Sequence, residues 1–357
     1  MSPLGWSFGR RAAKFFGSRF SGEDEAMSRQ FYLNSRRRFL SHIAAAGLVA
    51  AARPAIAAPE TLTIVDCHQH LWDLERQKLP WLQGPGESPL KRSFVMKDYI
   101  EATRGTGVDR AVYMEVDVAA DEKDKEAEIL TAICLRGDSP TIGAVVGGVP
   151  DDPHFADYIG RWKGNKFIKG VRIVLHGGDD RKAGRSLTPE FLRGMKVLAD
   201  AKMSFDICMP ATNLGEGAKL AAKCPETRIV VDHCGNANAK AWMKEERRGG
   251  EQTHAIDAWK RDLEALAACK NTICKISGII ATVPKEWSAA DLAPAINFCL
   301  DTYGPDRVVV GSDWPVCLKG GTLAAWIQAL REIVAERPAA EQRKLFSENA
   351  MKFYSLG

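Results

Sequence analysis

The feature that most constrains this chain is a regular alternation of short β-rich runs with longer helical patterns, beginning near Thr61. Eight runs have the composition of strands: Leu62–Asp66, Arg110–Val116, Thr141–Val146, Phe167–Leu175, Ser204–Met209, Arg228–His233, Thr272–Ile276 and Arg307–Gly311. Several of these runs are almost entirely apolar, as expected for parallel strands that are covered on both faces.

Helical patterns separate the strand candidates: Lys97–Arg104, Lys123–Leu135, Pro153–Trp162, Pro189–Ala199, Leu214–Lys223, Ala255–Cys269, Ala289–Tyr303 and Leu323–Ala335. Eight β-then-α units predict a (β/α)8 TIM barrel that forms a single domain over residues 59–357. A doubly wound open sheet is the alternative, but it usually has a Gly-x-Gly-x-x-Gly turn after its first strand, and none follows Asp66. The segments Pro338–Phe346 and Asn349–Tyr354 are expected to cover the bottom of the barrel.

Residues 1–58 have the order of an export signal. The basic run Ser35–Arg38 enters the apolar run Phe39–Ala52, and Ala55-Ile56-Ala57 provides the small residues of a signal-peptidase site. Paired arginines before Phe39-Leu40 resemble a twin-arginine signal, which predicts transport to the periplasm by that export machinery. The apolar run of about 14 residues is shorter than the ~20 that span a bilayer, so no stable membrane insertion is expected. An uncleaved amphipathic anchor is the alternative.

Charge and cysteine content narrow the class of protein further. The leader holds nine of the 49 basic and three of the 45 acidic residues, which leaves 40 and 42 in the body. A near-neutral body without a basic stripe predicts no nucleic-acid partner. All nine cysteines follow the leader without a Cys-x-x-Cys pair, which argues against a zinc ribbon or thioredoxin-type site. Most lie in apolar runs, so we expect buried free thiols.

Polar side chains at the carboxyl ends of the strands are the candidates for chemistry, because barrel active sites lie there. His68 and His70 follow the first strand on one face, so that both imidazoles can reach one metal ion. Asp313 follows the last strand and is placed as a general base. Its alternative role as a helix cap is disfavoured because the next helix starts only near Leu323. His233 follows the sixth strand as a second catalytic candidate, the alternative being a core histidine bonded to backbone.

Further residues are candidates for substrate contact. Arg172 and His176 share the inward face of the fourth strand. The planar guanidinium of Arg172 suits a substrate carboxylate, and an ion pair with Glu115 is the equally weighted alternative. Lys275, near the end of the seventh strand, is a candidate for substrate binding or a structural cation. The aromatic candidates for an apolar wall around a ring are Trp72, Trp81 and Trp314.

Taken together, these motifs resemble the amidohydrolase superfamily, and within it the amidohydrolase-related branch of L-fuconolactonase and 2-pyrone-4,6-dicarboxylate lactonase. The resemblance spans about Thr61 to Tyr354. It rests on His68-Gln69-His70, Gly170-Val171-Arg172, Asp232-His233-Cys234-Gly235, Lys275-Ile276-Ser277-Gly278, Gly311-Ser312-Asp313-Trp314-Pro315 and the closing Asn349–Tyr354. It implies a distorted (β/α)8 barrel and attack by water assisted by Asp313.

The sequence departs from the superfamily pattern at two metal positions. A ligand histidine is expected after the fifth strand, where Cys208 and Met209 lie, and a bridging lysine after the fourth, whose inward face carries Arg172. A two-metal site is therefore not expected. One divalent ion on His68, His70 and Asp313, with zinc the first candidate, is compatible with the pattern. The branch also includes members that work without metal, so metal-free catalysis stays open.

The resemblance favours a hydrolase that opens a lactone or a related cyclic ester, with a small-molecule substrate that is a lactone or a carboxylated ring. Histidines would polarise the carbonyl oxygen while Asp313 takes the proton of water. One alternative is a nonoxidative decarboxylase of an aromatic or cyclic acid, but those resemble a Glu-x-His-x-Pro start, whereas Asp66-Cys67-His68-Gln69-His70 stands here. A second alternative is an inactive periplasmic binding protein, which would have lost polar residues that this chain retains.

Overall fold

The structure is a computed structural model that describes residues 62–176 and 183–357. The predicted signal region, residues 1–58, lies outside the described residues, so export and localisation stay predictions. Within the described ranges, the structure has no helix that combines the length and the apolar character of a membrane span.

Eight parallel strands form one sheet in which each strand pairs with the next along the chain. They are β1 Ile64–Gln69, β2 Val108–Met114, β3 Thr141–Gly147, β4 Ile168–Val174, β5 Ser204–Cys208, β6 Arg228–Val231, β7 Thr272–Ile276 and β8 Val308–Val310. The sheet closes at the carboxyl ends of β1 and β8, where Gln69 pairs with Trp314 and the Asp313 amide donates to the His68 carbonyl at 2.8 Å. The predicted (β/α)8 barrel is confirmed.

A helix follows every strand on the outside of the barrel. The eight helices are α1 Met96–Thr103, α2 Lys123–Arg136, α3 Phe155–Trp162, α4 Pro189–Asp200, α5 Leu214–Lys223, α6 Ile256–Ala268, α7 Ala289–Tyr303 and α8 Leu323–Ile333. Shorter helical pieces are His233–Asn236, Glu245–Arg248, α9 Ala339–Arg343, the π-helical turn Lys344–Glu348 and α10 Asn349–Phe353. One large apolar core lies between the strands and this outer layer.

A second apolar core fills the lower part of the barrel interior, and the end of the chain belongs to it. Ala350, Tyr354 and Leu356 pack with inward-facing strand residues such as Val65 and Val309. Asn349 fastens this segment by donating from Nδ2 to the carbonyl of Val308 at 2.8 Å. The expectation that Asn349–Tyr354 covers the bottom of the barrel is confirmed, which leaves the carboxyl ends of the strands as the open end.

All nine cysteines are free thiols, as expected. Eight are buried and Cys269 is half-buried. The fold therefore depends on apolar packing and closure of the sheet, and not on disulfide bonds.

Candidate active site

The seam between β1 and β8 brings His70 and Asp313 together. His70 Nε2 lies 3.2 Å from Asp313 Oδ1, and His70 Nδ1 lies 2.9 Å from the carbonyl oxygen of Met114. Because a carbonyl only accepts, Nδ1 carries a proton and donates it to Met114. The facing Nε2 and Oδ1 atoms are then both acceptors, so the pair is complete only with a proton or a cation between them.

Backbone geometry aims Asp313 into the barrel mouth. Its φ of +56° is in the left-handed region, which aspartate tolerates better than most residues. Asp313 does not cap the following helix, because Thr322 performs that role by accepting from the amide of Ala325. Its carboxylate is consequently available to the His70 imidazole and to a ligand.

Asp66 lies at the same seam but is saturated by donors. Its oxygens accept from the amides of His68 and Ser312 at 3.0 and 2.7 Å, from the Tyr99 hydroxyl at 2.7 Å and from the Ser312 hydroxyl. These bonds join the end of β1 to the end of β8. Asp66 therefore has a structural role, in that it holds β1 to the segment after β8. The sequence did not predict this role.

His68 lies beside His70 and beneath the cavity surface. Its ring centroid is 4.8 Å from that of His70 and 4.4 Å from that of His233, so the structure does bring the three histidines together. Its Nε2 lies 3.2 Å from Arg172 Nη1, and its Nδ1 lies 3.5 Å from Asp232 Oδ1. Burial lowers the pKa of His68 well below its ordinary value, so this imidazole is neutral at pH 7.

His233 follows β6 and lines the cavity. Its Nδ1 lies 3.0 Å from the Ser277 hydroxyl, which leaves Nε2 as the nitrogen available to a ligand. Gly278 makes room for the ring, since a Cβ at that position would lie 2.3 Å from His233 Nδ1. Burial lowers the pKa of His233, so it too is neutral at pH 7.

Arg172 lines the cavity but is paired inside the protein. Its Nε donates to Glu115 Oε1 and its Nη2 to the Glu115 carbonyl, both at 2.7 Å. Burial alone would raise the pKa of Glu115, but the adjacent guanidinium holds that pKa below its ordinary value. The structure thus shows the ion pair, the alternative to substrate binding that the sequence analysis weighed for Arg172.

Two residues predicted to contact substrate do not line the cavity. Lys275 is fully buried in a lower layer, where its Nζ lies 2.6 Å from Asp206 Oδ2 and 2.9 Å from Asp232 Oδ1, as a structural cation. Trp314 is buried among other aromatic rings, with its ring centroid 5.4 Å from that of Phe94. Trp72 and His176 do line the cavity.

The cavity has a volume of about 310 Å³ and opens at the carboxyl ends of the strands. His70, His233 and Asp313 share its lining with Trp72, Trp81, Val116, Val174 and Val316. Asp117 and Asn236 also line it, and the sequence analysis did not single them out. Both follow a strand end within a few residues, so the rule that barrel sites collect there would have found them.

Two residue sets could hold a metal ion: His68, His70 and Asp313, or His68, Asp232 and His233, with ligand atoms within 4.8 Å of one another in each set. His70 and Asp313 fit an ion best because His70 Nε2 and Asp313 Oδ1 face one another as acceptors when Nδ1 of His70 carries the proton. His68 fits less well, because Arg172 Nη1 lies 3.2 Å from its Nε2 and donates to the lone pair that a metal ion would need.

Comparison with known proteins finds relatives that match most of the chain. A family model described as amidohydrolase matches residues 65–356. The chain is 27% identical over 304 residues to L-fucono-1,5-lactonase of Burkholderia multivorans, covering 82% of this chain and 96% of that protein. A zinc-bound amidohydrolase structure from Burkholderia multivorans has a TM-score of 0.70 and 24% identity, covering 83% of this chain and 100% of the other.

A more distant solved structure shares the fold and belongs to a protein with a different activity. This 5-carboxyvanillate decarboxylase from Novosphingobium aromaticivorans, with bound manganese, has a TM-score of 0.57 and 18% identity, covering 84% of this chain and 99% of the other. At that identity the likeness is one of fold. Because fold alone does not distinguish hydrolysis from decarboxylation, the distinction has to come from the residues of the site.

Proposed function

Because the chain belongs to the amidohydrolase family, we propose that it is a hydrolase that opens a lactone or a related cyclic ester by the attack of water. One observation carries the proposal: His70, His233 and Asp313 meet in one cavity at the carboxyl ends of the strands. The nearly full-length match to a curated lactonase supports the bond type.

Asp313 is the proposed base. Oδ1 faces His70, so Oδ2 accepts a proton from water while the water oxygen forms a bond to the carbonyl carbon. The ring C–O bond then breaks, and the departing alkoxide receives that proton from Asp313. A positioned base of this kind contributes about 10²- to 10⁴-fold to the rate.

The histidines are the proposed stabilisers of the oxyanion. His233 Nε2, and His70 Nε2 when it carries the proton shared with Asp313, donate to the carbonyl oxygen as negative charge develops there. His68 acts from below: it packs on both rings and is fixed between Arg172 and Asp232. His68 and Asp232 lie outside the cavity lining, so they orient the reacting groups without touching the substrate themselves.

A divalent ion, with zinc the first candidate, would be held by His70 and Asp313. When bound, it supplies a Lewis acid for the carbonyl oxygen and lowers the pKa of a coordinated water. In a metal-free enzyme, a proton shared between His70 Nε2 and Asp313 Oδ1 takes the place of the ion.

Decarboxylation of an aromatic acid fits this cavity less well. A carboxylated substrate needs a cationic partner, and Arg172, the guanidinium among the described lining residues, is already neutralised by Glu115. An inactive binding protein would have no use for the convergence of an acid and histidines on a cavity.

The test is turnover by protein purified without chelator. We expect acid release from at least one member of a panel of sugar, alkyl and aryl lactones, followed with a pH indicator, and no carbon dioxide from aromatic acids. Elemental analysis of the same sample measures bound metal. Carbon dioxide release without ring opening would overturn the hydrolase proposal in favour of the decarboxylase.

We further propose that the leader exports the folded protein to the periplasm. The support is the order of basic, apolar and small residues in residues 1–58. A fluorescent reporter fused to this leader should reach the periplasm, and the R36K/R37K double variant should stay in the cytoplasm. Equal export of both fusions would contradict a twin-arginine signal.

A further inference from the structure

We propose that the substrate of this cavity is an apolar lactone, one whose ring carries alkyl or aryl groups and neither several hydroxyls nor a carboxylate. The inference rests on the proposed lactone hydrolysis and names the substrate class. It comes from the cavity walls, whose surface is largely aromatic and aliphatic, and in which four of the polar donors are engaged with backbone carbonyls.

The two indoles of the wall present carbon to the cavity. Trp72 Nε1 donates to the carbonyl of Arg92 at 2.6 Å, and Trp81 Nε1 donates to the carbonyl of Val116 at 2.8 Å. Their ring centroids lie 5.7 Å apart in an edge-to-face arrangement. Because both N–H groups are used, the pair offers an apolar surface and no donor for a sugar hydroxyl.

Two further polar wall residues are engaged with backbone carbonyls. Asn236 Nδ2 donates to Met209 at 2.6 Å, and the Thr282 hydroxyl donates to Ile279 at 3.3 Å. The rest of the described wall includes the aliphatic side chains of Val116, Val174, Ala281 and Val316. A ring hydroxyl placed against this surface would lose its water without gaining a partner, which costs about tenfold in binding.

The charge of the lining disfavours an anionic ring. Asp117 and Asp313 contribute carboxylates, while the Arg172 guanidinium is neutralised by Glu115 at 2.7 Å. Because the Arg172 guanidinium is already paired with Glu115, a substrate carboxylate would lose its water beside Asp313 without gaining that cation. The carboxylated ring that the sequence analysis considered is therefore disfavoured.

The size of the cavity sets the size of the ring. A volume of about 310 Å³ is at the lower end of ligand pockets, which suits a monocyclic or fused bicyclic lactone. His70, His233 and Asp313 supply the polar contacts that the ester group needs. The substrate is thus polar at its reacting end and apolar around the remainder of the ring.

Specificity constants test this inference directly. In a series of δ-lactones with lengthening alkyl groups, we expect kcat/KM to rise about three- to fourfold per methylene until the cavity is full. Dihydrocoumarin should be preferred to L-fucono-1,5-lactone and to 2-pyrone-4,6-dicarboxylate after correction for uncatalysed hydrolysis. A preference for the polyhydroxylated or the dicarboxylated ring would overturn the inference and leave lactone hydrolysis intact.

A matched pair of variants locates the preference in the wall. Val174→Thr places a hydroxyl in the wall, and it should lower kcat/KM for alkyl lactones by about three- to tenfold. Val108→Thr makes the same change at the opposite end of the barrel and should leave the preference unchanged. Equal effects of the two variants would contradict a role for the wall.

Binding measurements keep the inference testable if no lactone is turned over. α-Tetralone is a ketone that matches dihydrocoumarin in shape, and calorimetry should show that it binds more tightly than L-fucose. Tighter binding of L-fucose would overturn the apolar assignment. Failure of turnover with tight α-tetralone binding would instead remove the proposed function and retain the character of the cavity.

Discussion

Charged side chains are paired differently in the cavity lining and in the lower layer beneath it, which consists of Asp206, Asp232 and Lys275. In the lower layer, Lys275 lies between Asp206 and Asp232 at 2.6 and 2.9 Å, and all three side chains are fully buried. At the cavity, Asp313 faces the His70 imidazole at 3.2 Å with an acceptor opposite an acceptor. The charges of the lower layer are compensated by one another, whereas His70 and Asp313 need a proton or a cation between their two acceptor atoms.

This difference indicates that the lower layer positions the histidines, while the residues of the cavity lining take part in the reaction. The lower layer reaches the histidines through Asp232, which lies 3.5 Å from His68 Nδ1, so its effect on chemistry passes through the orientation of that ring. The cavity lining contains the groups that a substrate can touch. Substitutions in the cavity lining should therefore reduce activity more than stability. Substitutions in the lower layer should reduce stability more than activity.

The largest expected effect is that of Asp313→Asn on activity. Asparagine tolerates the positive φ of this position, so the backbone should be retained, while the amide cannot accept the proton of water. We expect kcat/KM for the best lactone to fall by about 10²- to 10⁴-fold, with little change in melting temperature. Asp66→Asn is the comparison at the same seam and should lower stability more than Asp313→Asn does.

Near-normal turnover by Asp313→Asn would contradict the assignment of the base. A large loss of stability in that variant would instead show that Asp313 has a structural role like that of Asp66.

Lys275→Met should have the largest effect on stability. Removing the ammonium leaves Asp206 and Asp232 buried without a cation, and breaking such a buried pair costs about 3–5 kcal/mol of unfolding free energy. Urea denaturation measures the change. The double variant that adds Asp206→Asn should recover part of the loss, and a loss below about 1 kcal/mol in the single variant would show that the lower layer is not compensated in this way.

Glu126 should make the free energy of unfolding depend on pH. Burial, followed by the charge of Glu115, raises the pKa of Glu126 from an ordinary 4.5 to about 7. Because the folded protein holds this proton more tightly than the unfolded chain, stability falls as the pH rises from about 4.5 to above 7.

Glu126→Gln should weaken that fall by on the order of 2–3 kcal/mol between pH 5 and pH 8, since the amide oxygen still accepts from the Tyr113 hydroxyl. Urea denaturation of both proteins at the two pH values gives the difference, which is free of groups common to both. An unchanged slope in the variant would mean that Glu126 is ionised in the folded protein.

The smallest effect is expected at the cavity rim. Trp81 is 42% exposed and forms one edge of the indole pair, so Trp81→Leu removes part of the apolar surface without disturbing the core. We expect KM for an aryl lactone to rise by about two- to fivefold with kcat unchanged, as for lost uniform binding. A fall in kcat alone would assign Trp81 to the reaction and not to the wall.

The barrel could be predicted from sequence because its signals are local. The observed strands begin and end within three residues of the predicted ones, since apolar runs and helical periodicity are properties of neighbouring residues. The convergence of His70, His233 and Asp313 follows from the same pattern, because the carboxyl ends of all strands meet at one end of a barrel.

Roles that depend on depth and distant partners could not be predicted. Lys275 precedes the last residue of β7, which places it one layer below the cavity. Asp66 accepts from Ser312, 246 positions away, and nothing near Asp66 in the chain indicates that its oxygens are occupied. Trp314 follows a residue with positive φ, so the alternation of a regular strand no longer tells where its ring points.

A crystal structure with a bound lactam, the unreactive analogue of a lactone, would show whether His70, His233 and Asp313 surround the reacting carbonyl. We expect the lactam in the cavity, with its carbonyl oxygen about 3 Å from His70 or His233 Nε2 and a water on Asp313 facing the carbonyl carbon. The same map shows whether a metal ion lies between His70 and Asp313. A lactam bound in the cavity with its carbonyl turned away from the histidines and Asp313 would contradict the account.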